Sequence, residues 1–189
     1  GQETTATLMT GATPARHSIM SDSYFNRSDR NALSILRDKH SSGIGTSLQL
    51  SPRDILSTTV TDEWRMLCGQ EAKIYAIGLQ PEATILMAGH AANACCWLDA
   101  ESQKWATTSF YPEGLPSAAD DMNMCGRITQ MAEREWTPRM DIAMYNHPTE
   151  KERKRGFSYV NKECLLQSPV ANTLVIEMAL ALQQAQKLG

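Results

Sequence analysis

The chain has 189 residues, of which 42% are hydrophobic and 21% charged, a composition that predicts one compact domain with a sizeable core. Its 18 basic and 21 acidic side chains nearly balance, so charge alone gives it no attraction for nucleic acid or an anionic membrane. No apolar run approaches the roughly 20 residues of a membrane span, and the first residues lack the pattern of a signal peptide.

The first half of the chain predicts a surface excursion, a helix and a strand, in that order. Residues 21–52 are rich in Ser, Asp, Asn and Arg, which is typical of exposed connections. Ser51 and Pro52 have the residue types of a helix N-cap and first position, and Gly69 ends the helix that they predict. The apolar run 73–79 predicts a buried strand, and a helix leading into such a strand indicates α/β layering.

The second half predicts a hairpin followed by helices. Residues 94–98 and 104–111 predict the two strands of a hairpin, with residues 99–103 as the turn between them. A helix is expected around 117–133, with Gly126 as its weak point. The last and most regular helix begins at Ser168 and runs to the end of the chain. Its apolar stripe consists of Leu174, Met178, Leu182 and Ala185.

The cysteines do not predict a structural metal site. They are Cys68, Cys95, Cys96, Cys125 and Cys164. They form no C-x-x-C pair and have no histidines at zinc-ligand spacing, and the odd count leaves at least one thiol unpaired. We expect the adjacent Cys95 and Cys96 to point to opposite faces of one strand.

Other candidate groups favour structural or solvated roles over chemistry. The histidines, which are His17, His40, His90 and His147, show no H-E-x-x-H arrangement, and no serine stands in a G-x-S-x-G elbow. Asp120 and Asp121 resemble a carboxylate pair, but neighbours on a helix diverge, so a solvated helix surface is expected. The run from Glu150 to Arg155 is either a phosphate-binding patch or a solvated loop, and its mixed charges favour the loop.

Four stretches in order resemble the type I phosphodiesterase/nucleotide pyrophosphatase family of the alkaline phosphatase superfamily, and its bacterial alkaline-phosphatase relatives. They are residues 8–19, 80–90, 97–111 and 168–174. The first resembles the motif T-G-x-x-P-x-x-H-G-I, with Ser18 in place of its glycine. The others resemble an A-G-H segment, a W-F-D hairpin and a T-P-x-G-N-T helix start.

The resemblance implies two zinc ions held by Asp and His ligands and a threonine nucleophile activated by them. The nucleophile's position falls at Gly1, and none of the zinc ligands can be placed on this sequence, so no cofactor is expected in this chain. Asp22 stands where the family has a phosphate-holding asparagine. Gln80 and Glu82 stand where the bacterial monoesterases have a Lys-x-Arg pair, so charge-assisted phosphate binding is replaced by repulsion.

These changes leave more than one interpretation open. The parent protein could act on a diester of lower charge, or the chain could be a degenerate, non-catalytic member or fragment. A non-enzymatic binding module of an exported bacterial protein is the alternative, and an unrelated hydrolase site using His17 with a nearby serine is a third. In the parent protein the ligand implied is a phosphoester or nucleotide. The resemblance also implies a periplasmic or exported location.

The fold class expected is therefore α/β: part of an alkaline-phosphatase-like fold, with a short sheet, flanking helices and a β-hairpin cap insertion. Residues 1–92 would form the core-proximal part, 93–165 the cap-like insertion and 166–189 the return helix. A partial fold leaves strand edges unpaired, and a homodimer is one way to cover them.

Overall fold

The structure is a computed structural model that describes residues 1–28, 30–136, 140–141, 144, 157–158 and 165–188. The described helices are α1 (Gln2–Thr10), α2 (Pro14–His17), α3 (Val60–Cys68), α4 (Pro81–Ala88), α5 (Ser117–Met124), α6 (Arg127–Ala132) and α7 (Pro169–Gln186). The described strands are β1 (Ser23–Asn26), β2 (Asn31–Ser34), β3 (Gly43–Ile44), β4 (Tyr75–Gly78), β5 (Ala94–Asp99), β6 (Lys104–Thr108), β7 (Glu135–Trp136) and β8 (Phe157–Ser158). The predictions for His147, Cys164 and the charged run 150–155 lie outside the described residues.

A four-stranded mixed sheet forms the centre, with the strand order β3-β6-β5-β4. Strands β5 and β6 form the predicted hairpin, in which Trp97 lies opposite Ala106. The predicted strand before the hairpin is β4, and it pairs parallel to β5. The helix α4 that connects these two parallel strands packs on both, as a crossover helix must. The α/β fold class is confirmed.

Strand β5 is buried over its whole length and separates two apolar cores. Cys95 and Trp97 belong to one core, which also takes in residues of α1 and α4. Cys96 belongs to the other core, with residues of α5, α6 and α7. The prediction that Cys95 and Cys96 point to opposite faces is confirmed, because side chains alternate along a strand.

The predicted start of the first strong helix at Ser51 is wrong. Helix α3 begins at Val60, where Thr59 and Asp62 form a capping box: the Thr59 hydroxyl accepts from the Asp62 N–H, and the Asp62 carboxylate accepts from the Thr59 N–H. The Ser51 hydroxyl instead donates to Asp38 at 2.7 Å. Ser51 Oγ also accepts from the Arg53 N–H at 3.2 Å, so this residue forms a local turn, and the helix begins only where Thr59 and Asp62 satisfy each other's N–H groups. The predicted end at Gly69 is confirmed, with φ 64° at that residue.

The later helices follow the prediction with one break. The helix expected over 117–133 is divided into α5 and α6 by Gly126, whose φ of 66° is left-handed and interrupts the helical run. Helix α7 begins after Ser168 with proline at its first turn, as predicted. Its stripe of Leu174, Met178 and Leu182 is buried, whereas Ala185 is exposed. Among the described residues, no helix is both long enough and apolar enough for a transmembrane segment.

Candidate functional site

Asp22 lies at the N-terminus of helix α1. The Gln2 backbone N–H donates to Asp22 Oδ1 at 2.7 Å. Gly1 is the N-cap and makes no side-chain cap, and a Cβ placed on it would approach Asp22 Oδ1 to 3.2 Å. The first N–H groups of a helix and its dipole attract anions, so this end of α1 is a ready anion-binding position. Here the protein's own carboxylate occupies it.

Gln80 and Glu82 lie at the N-terminus of α4, at the carboxyl end of β4. The Gln80 carbonyl accepts from the Thr84 N–H at 3.0 Å and from the Thr84 hydroxyl at 2.6 Å. The Gln80 side chain makes no capping hydrogen bond. Glu82 is half-buried in the first helical turn. Both residues line an open cleft of about 460 Å³. Open α/β sheets bind their ligands at the carboxyl ends of parallel strands, which is the position of this cleft.

The cleft is acidic. Glu82, Asp99 and Glu101 line it, and the described residues around it include no Lys, Arg or His. Asp99 is already engaged, since it accepts from the Thr46 hydroxyl at 2.7 Å. Among these described lining residues, a dianionic phosphate would meet like charges and no cationic donor. The structure thus brings Gln80 and Glu82 together in one cleft. Asp22 does not line this cleft but lies at the N-terminus of helix α1, which packs on α4.

The histidine of the first motif, His17, is structural. It is fully buried, and its Nδ1 accepts from the Ile19 N–H at 3.1 Å, so its Nε2 is the donor to the Thr7 hydroxyl at 3.1 Å. This pattern requires a neutral ring. Burial lowers the pKa of His17 below its ordinary value, which agrees with that requirement.

The histidine of the A-G-H segment, His90, lies between two acceptors that favour its charged form. Its Nδ1 lies 2.8 Å from Asp62 Oδ2 and its Nε2 lies 3.1 Å from the Ile55 carbonyl oxygen. Both neighbours can only accept, so both ring nitrogens must donate. The hydrogen bond with Asp62 raises the pKa of His90 against the opposing effect of burial.

Asp62 is the most heavily bonded side chain of this region. Its Oδ1 accepts from the His90 N–H at 2.7 Å and the Ala91 N–H at 2.8 Å, and its Oδ2 accepts from Thr59 and His90. Burial opposes the charged carboxylate, but the hydrogen bonds from His90, Thr59 and Ala91 outweigh it and hold its pKa well below the usual range. The Asp62–His90 ion pair therefore fixes α3 to the loop after α4.

Sequence reasoning missed this ion pair. The Thr59-x-x-Asp62 spacing could have indicated the capping box, since an acid three residues after a threonine is its usual sign. The partner His90 lies 28 residues away, and no local pattern indicates it. His17 and His90 both make hydrogen bonds within the fold, which agrees with the structural roles expected for them.

The described side chains do not fit the two zinc ions that the resemblance implies. No group of three or more His, Cys, Asp or Glu residues within the described ranges is arranged to hold a metal ion. Gly1, which the resemblance places at the nucleophile's position, has no hydroxyl. We therefore derive no metal-dependent step from these residues.

Comparison with curated proteins finds alkaline phosphatases. The chain is 27% identical to alkaline phosphatase PhoV of Synechococcus elongatus over 97% of its own length, and 25% identical to alkaline phosphatase PafA of Elizabethkingia meningoseptica over 96%. It is also 27% identical, over 74% of its length, to a Myroides odoratus protein described as a calcium-transporting ATPase. The chain spans 37% of the length of the first two relatives. No protein-family model matches it.

Comparison with solved structures identifies the fold. The crystal structure of wild-type PafA superposes with a TM-score of 0.86 at 24% identity, over 100% of this chain and 41% of that one. A PafA variant with substitutions at a threonine, an asparagine, a lysine and an arginine superposes with a TM-score of 0.80 at 22% identity. The chain has the fold of the matching part of an alkaline phosphatase, and its relatives support its place in the alkaline phosphatase superfamily.

Proposed function

We propose that this chain is part of an alkaline-phosphatase-like protein in which it forms a wall of the substrate cleft, and that its own residues do not catalyse phosphoryl transfer. The observation that supports this best is the hydrogen bond from the Gln2 N–H to Asp22 at the start of α1. A carboxylate at this position repels a phosphate oxygen and competes for the same N–H donor.

The substitutions in the PafA variant support the same proposal. The threonine and asparagine changed in that enzyme have the spacing of Gly1 and Asp22 here, and the lysine and arginine have the spacing of Gln80 and Glu82. The threonine hydroxyl would thus correspond to Gly1 and the asparagine amide to the Asp22 carboxylate. The lysine and arginine cations would correspond to the Gln80 amide and the Glu82 carboxylate. Each exchange weakens nucleophilic attack or phosphate binding.

The finer features of this proposal rest on the resemblance. They are kinship with the type I phosphodiesterase/nucleotide pyrophosphatase branch, a phosphoester or nucleotide ligand in the parent protein, a periplasmic or exported location, and a homodimer that covers open strand edges. The alternative of a non-enzymatic binding module uses the same cleft without turnover. Measuring zinc content and hydrolytic activity together distinguishes an active diesterase from both non-catalytic alternatives, the cleft wall and the binding module.

The test measures hydrolysis of p-nitrophenyl phosphate and bis-p-nitrophenyl phosphate with added zinc, together with the zinc content of the purified protein. We expect no turnover with either ester. Stoichiometric zinc with turnover of either substrate would overturn the proposal, and turnover of the diester alone would favour a substrate of lower charge.

A restoring variant tests the role of the three altered residues directly. Asp22→Asn, Gln80→Lys and Glu82→Arg together replace repulsion by charge-assisted donors, each worth about 1.5–3 kcal/mol. We expect inorganic phosphate, titrated calorimetrically, to bind at least about tenfold more tightly than to the unaltered chain. The control variant Asp120→Lys and Asp121→Lys adds the same positive charge on the exposed face of α5. Equal gains in the two variants would mean that net charge, and not these positions, governs binding.

A further inference from the structure

The cleft at the carboxyl end of β4 carries the charge that attracts a cation. Three carboxylates line it, those of Glu82, Asp99 and Glu101, and the described lining residues include no Lys, Arg or His. The donors that reach Asp99 are the Thr46 hydroxyl at 2.7 Å and the Ser102 N–H at 2.8 Å. Both donors are neutral, so the negative charge of Asp99 stays in place. A positively charged ligand is therefore attracted to this cleft.

Glu82 is the carboxylate most available to such a ligand. It is only half-buried, and its side chain makes no hydrogen bond or ion pair with any described residue. It also has the spacing of the arginine that was substituted in the PafA variant. Where that enzyme has a cation, this chain has an anion, so the ligand charge that the position favours is reversed with it.

The arrangement of the carboxylates does not fit a metal ion. Within the described ranges, no three His, Cys, Asp or Glu residues are grouped so that they could hold one. The cleft is instead open, with a volume of about 460 Å³, which is in the range of small-molecule sites. Apolar side chains form much of its wall, namely Leu48, Leu79, Pro81, Leu98 and Leu166. Separate carboxylates on an apolar wall fit an organic cation.

A buried indole in the same wall points independently to a ligand. Trp97 lines the cleft and is fully buried, and its Nε1–H has no acceptor among the described residues. Trp97 and Asp99 are two residues apart on β5, so they lie on the same face of the strand. Unpaired buried N–H groups are costly and rare in native proteins. An oxygen atom of a ligand would supply the acceptor that this N–H lacks.

We propose that the cleft binds a small organic cation, an amine or ammonium compound with an oxygen acceptor and an apolar body, whose positive charge lies against Glu82. The proposal rests on the function proposed above, because it uses the same wall of the substrate cleft. It identifies the part of a ligand that this wall receives, which is a cationic group and not a phosphate.

Calorimetric titration of the polypeptide, as its organism encodes it, tests the charge. Phenylalaninol and 3-phenylpropanol share a phenyl ring and a hydroxyl, but only phenylalaninol carries an ammonium group. We expect phenylalaninol to bind at least about tenfold more tightly, by a margin that salt reduces. Glu82→Gln should weaken its binding about threefold to fivefold. The control Asp120→Asn removes another first-turn acid, outside the cleft, and should leave binding unchanged. Equal affinities of the two compounds, or equal losses in the two variants, would overturn the proposal.

A second measurement follows the indole and leaves Glu82 unaltered. In a nitrogen-15 spectrum of the labelled protein, the Nε1–H signal of Trp97 is the one that Trp97→Phe removes. We expect phenylalaninol to move this signal downfield, as a new hydrogen bond does, and 3-phenylpropylamine, which has no hydroxyl, to move it less. An unmoved signal at saturating phenylalaninol would overturn the proposal even if Glu82→Gln failed to fold.

Both measurements omit zinc and need no turnover, so they fail separately from the proposed function. Absence of amine binding would leave the non-catalytic assignment intact. Turnover of either phosphoester in the hydrolysis assay would overturn that assignment and leave the amine affinities as measured.

Discussion

Replacing Asp62 by asparagine tests whether a single ion pair holds α3 in place. An amide can accept through only one of its two terminal atoms, so one pair of donors, either those at Oδ1 or those at Oδ2, would face an NH₂ group. Two hydrogen bonds to a charged acceptor would be lost, each worth about 1.5–3 kcal/mol. Because the His90 side chain is 32% exposed, water replaces part of the loss. We expect a fall of about 3 kcal/mol in the free energy of unfolding.

Urea titration followed by circular dichroism measures this change. The control is Asp120→Asn, an exposed carboxylate on α5, which should change stability by less than about 0.5 kcal/mol. A loss below about 1 kcal/mol for Asp62→Asn would refute the reasoning, because it would mean that water satisfies the freed donors of His90, Ala91 and Thr59.

The same pair sets a pH dependence with a defined sign. The pKa of His90 is raised in the folded protein, so its contribution to stability is fully present below the unfolded value of about 6.5. That contribution is lost as the pH rises through the folded pKa. In Asp62→Asn, this decline of stability above about pH 6.5 should flatten. A decline of unchanged size would show that another group causes it.

Two further changes test the environment of the motif residues. The pKa of His17 is lowered in the folded protein, so the folded ring stays neutral while the unfolded ring protonates, and the free energy of unfolding should fall as the pH drops below about 6.5. His17→Gln should reduce this pH dependence, measured by urea titration. An unchanged pH dependence would contradict the assignment of a neutral ring. Gly89→Ala should lower the free energy of unfolding by about 2–4 kcal/mol, because Gly89 has φ 68° and its Cβ would overlap the Thr59 hydroxyl. Gly126→Ala, with φ 66° and open space around it, should lose only about 1 kcal/mol, and equal losses would show that backbone strain alone matters.

The elements that sequence predicted well are those whose signals are local. The continuous apolar run that became β4, the two short segments of the hairpin β5–β6 and the 3.6-residue stripe of α7 each lie within one short segment. Gly69 ends α3 for an equally local reason, since its left-handed φ suits glycine. The opposite orientations of Cys95 and Cys96 followed from alternation alone.

The elements that sequence predicted poorly depend on distant partners. Ser51 was predicted to cap the helix, but it forms a turn in which its Oγ accepts from the Arg53 N–H and donates to Asp38, and Asp38 also accepts from Arg53 Nε at 3.1 Å. Similarly, His90 receives its charge from Asp62 across 28 residues. Hydrogen-bond partners of this kind are set by the tertiary structure, so local helix and capping propensities do not predict them.

The position of Asp22 shows the same limit for the candidate site. Its identity in the sequence indicated repulsion of phosphate, but only the structure gives it a local role as acceptor for the first N–H of α1. Gln80 and Glu82 line one cleft, and their expected place facing the substrate stays a prediction. The acidity contributed by Asp99 and Glu101 comes from the last residue of β5 and the turn after it, which the resemblance did not assign to the cleft.

The division of the two cores by β5 gives the protein two internal reporters of local unfolding. Burial raises the pKa of both thiols, that of Cys96 to about 12, so a thiol-specific reagent must wait until a layer opens. Labelling at Cys95 then measures opening of the layer formed by α1 and α4, and labelling at Cys96 measures opening of the layer formed by α5, α6 and α7. Although the two cysteines are adjacent in sequence, their labelling rates report local unfolding on opposite faces of one sheet.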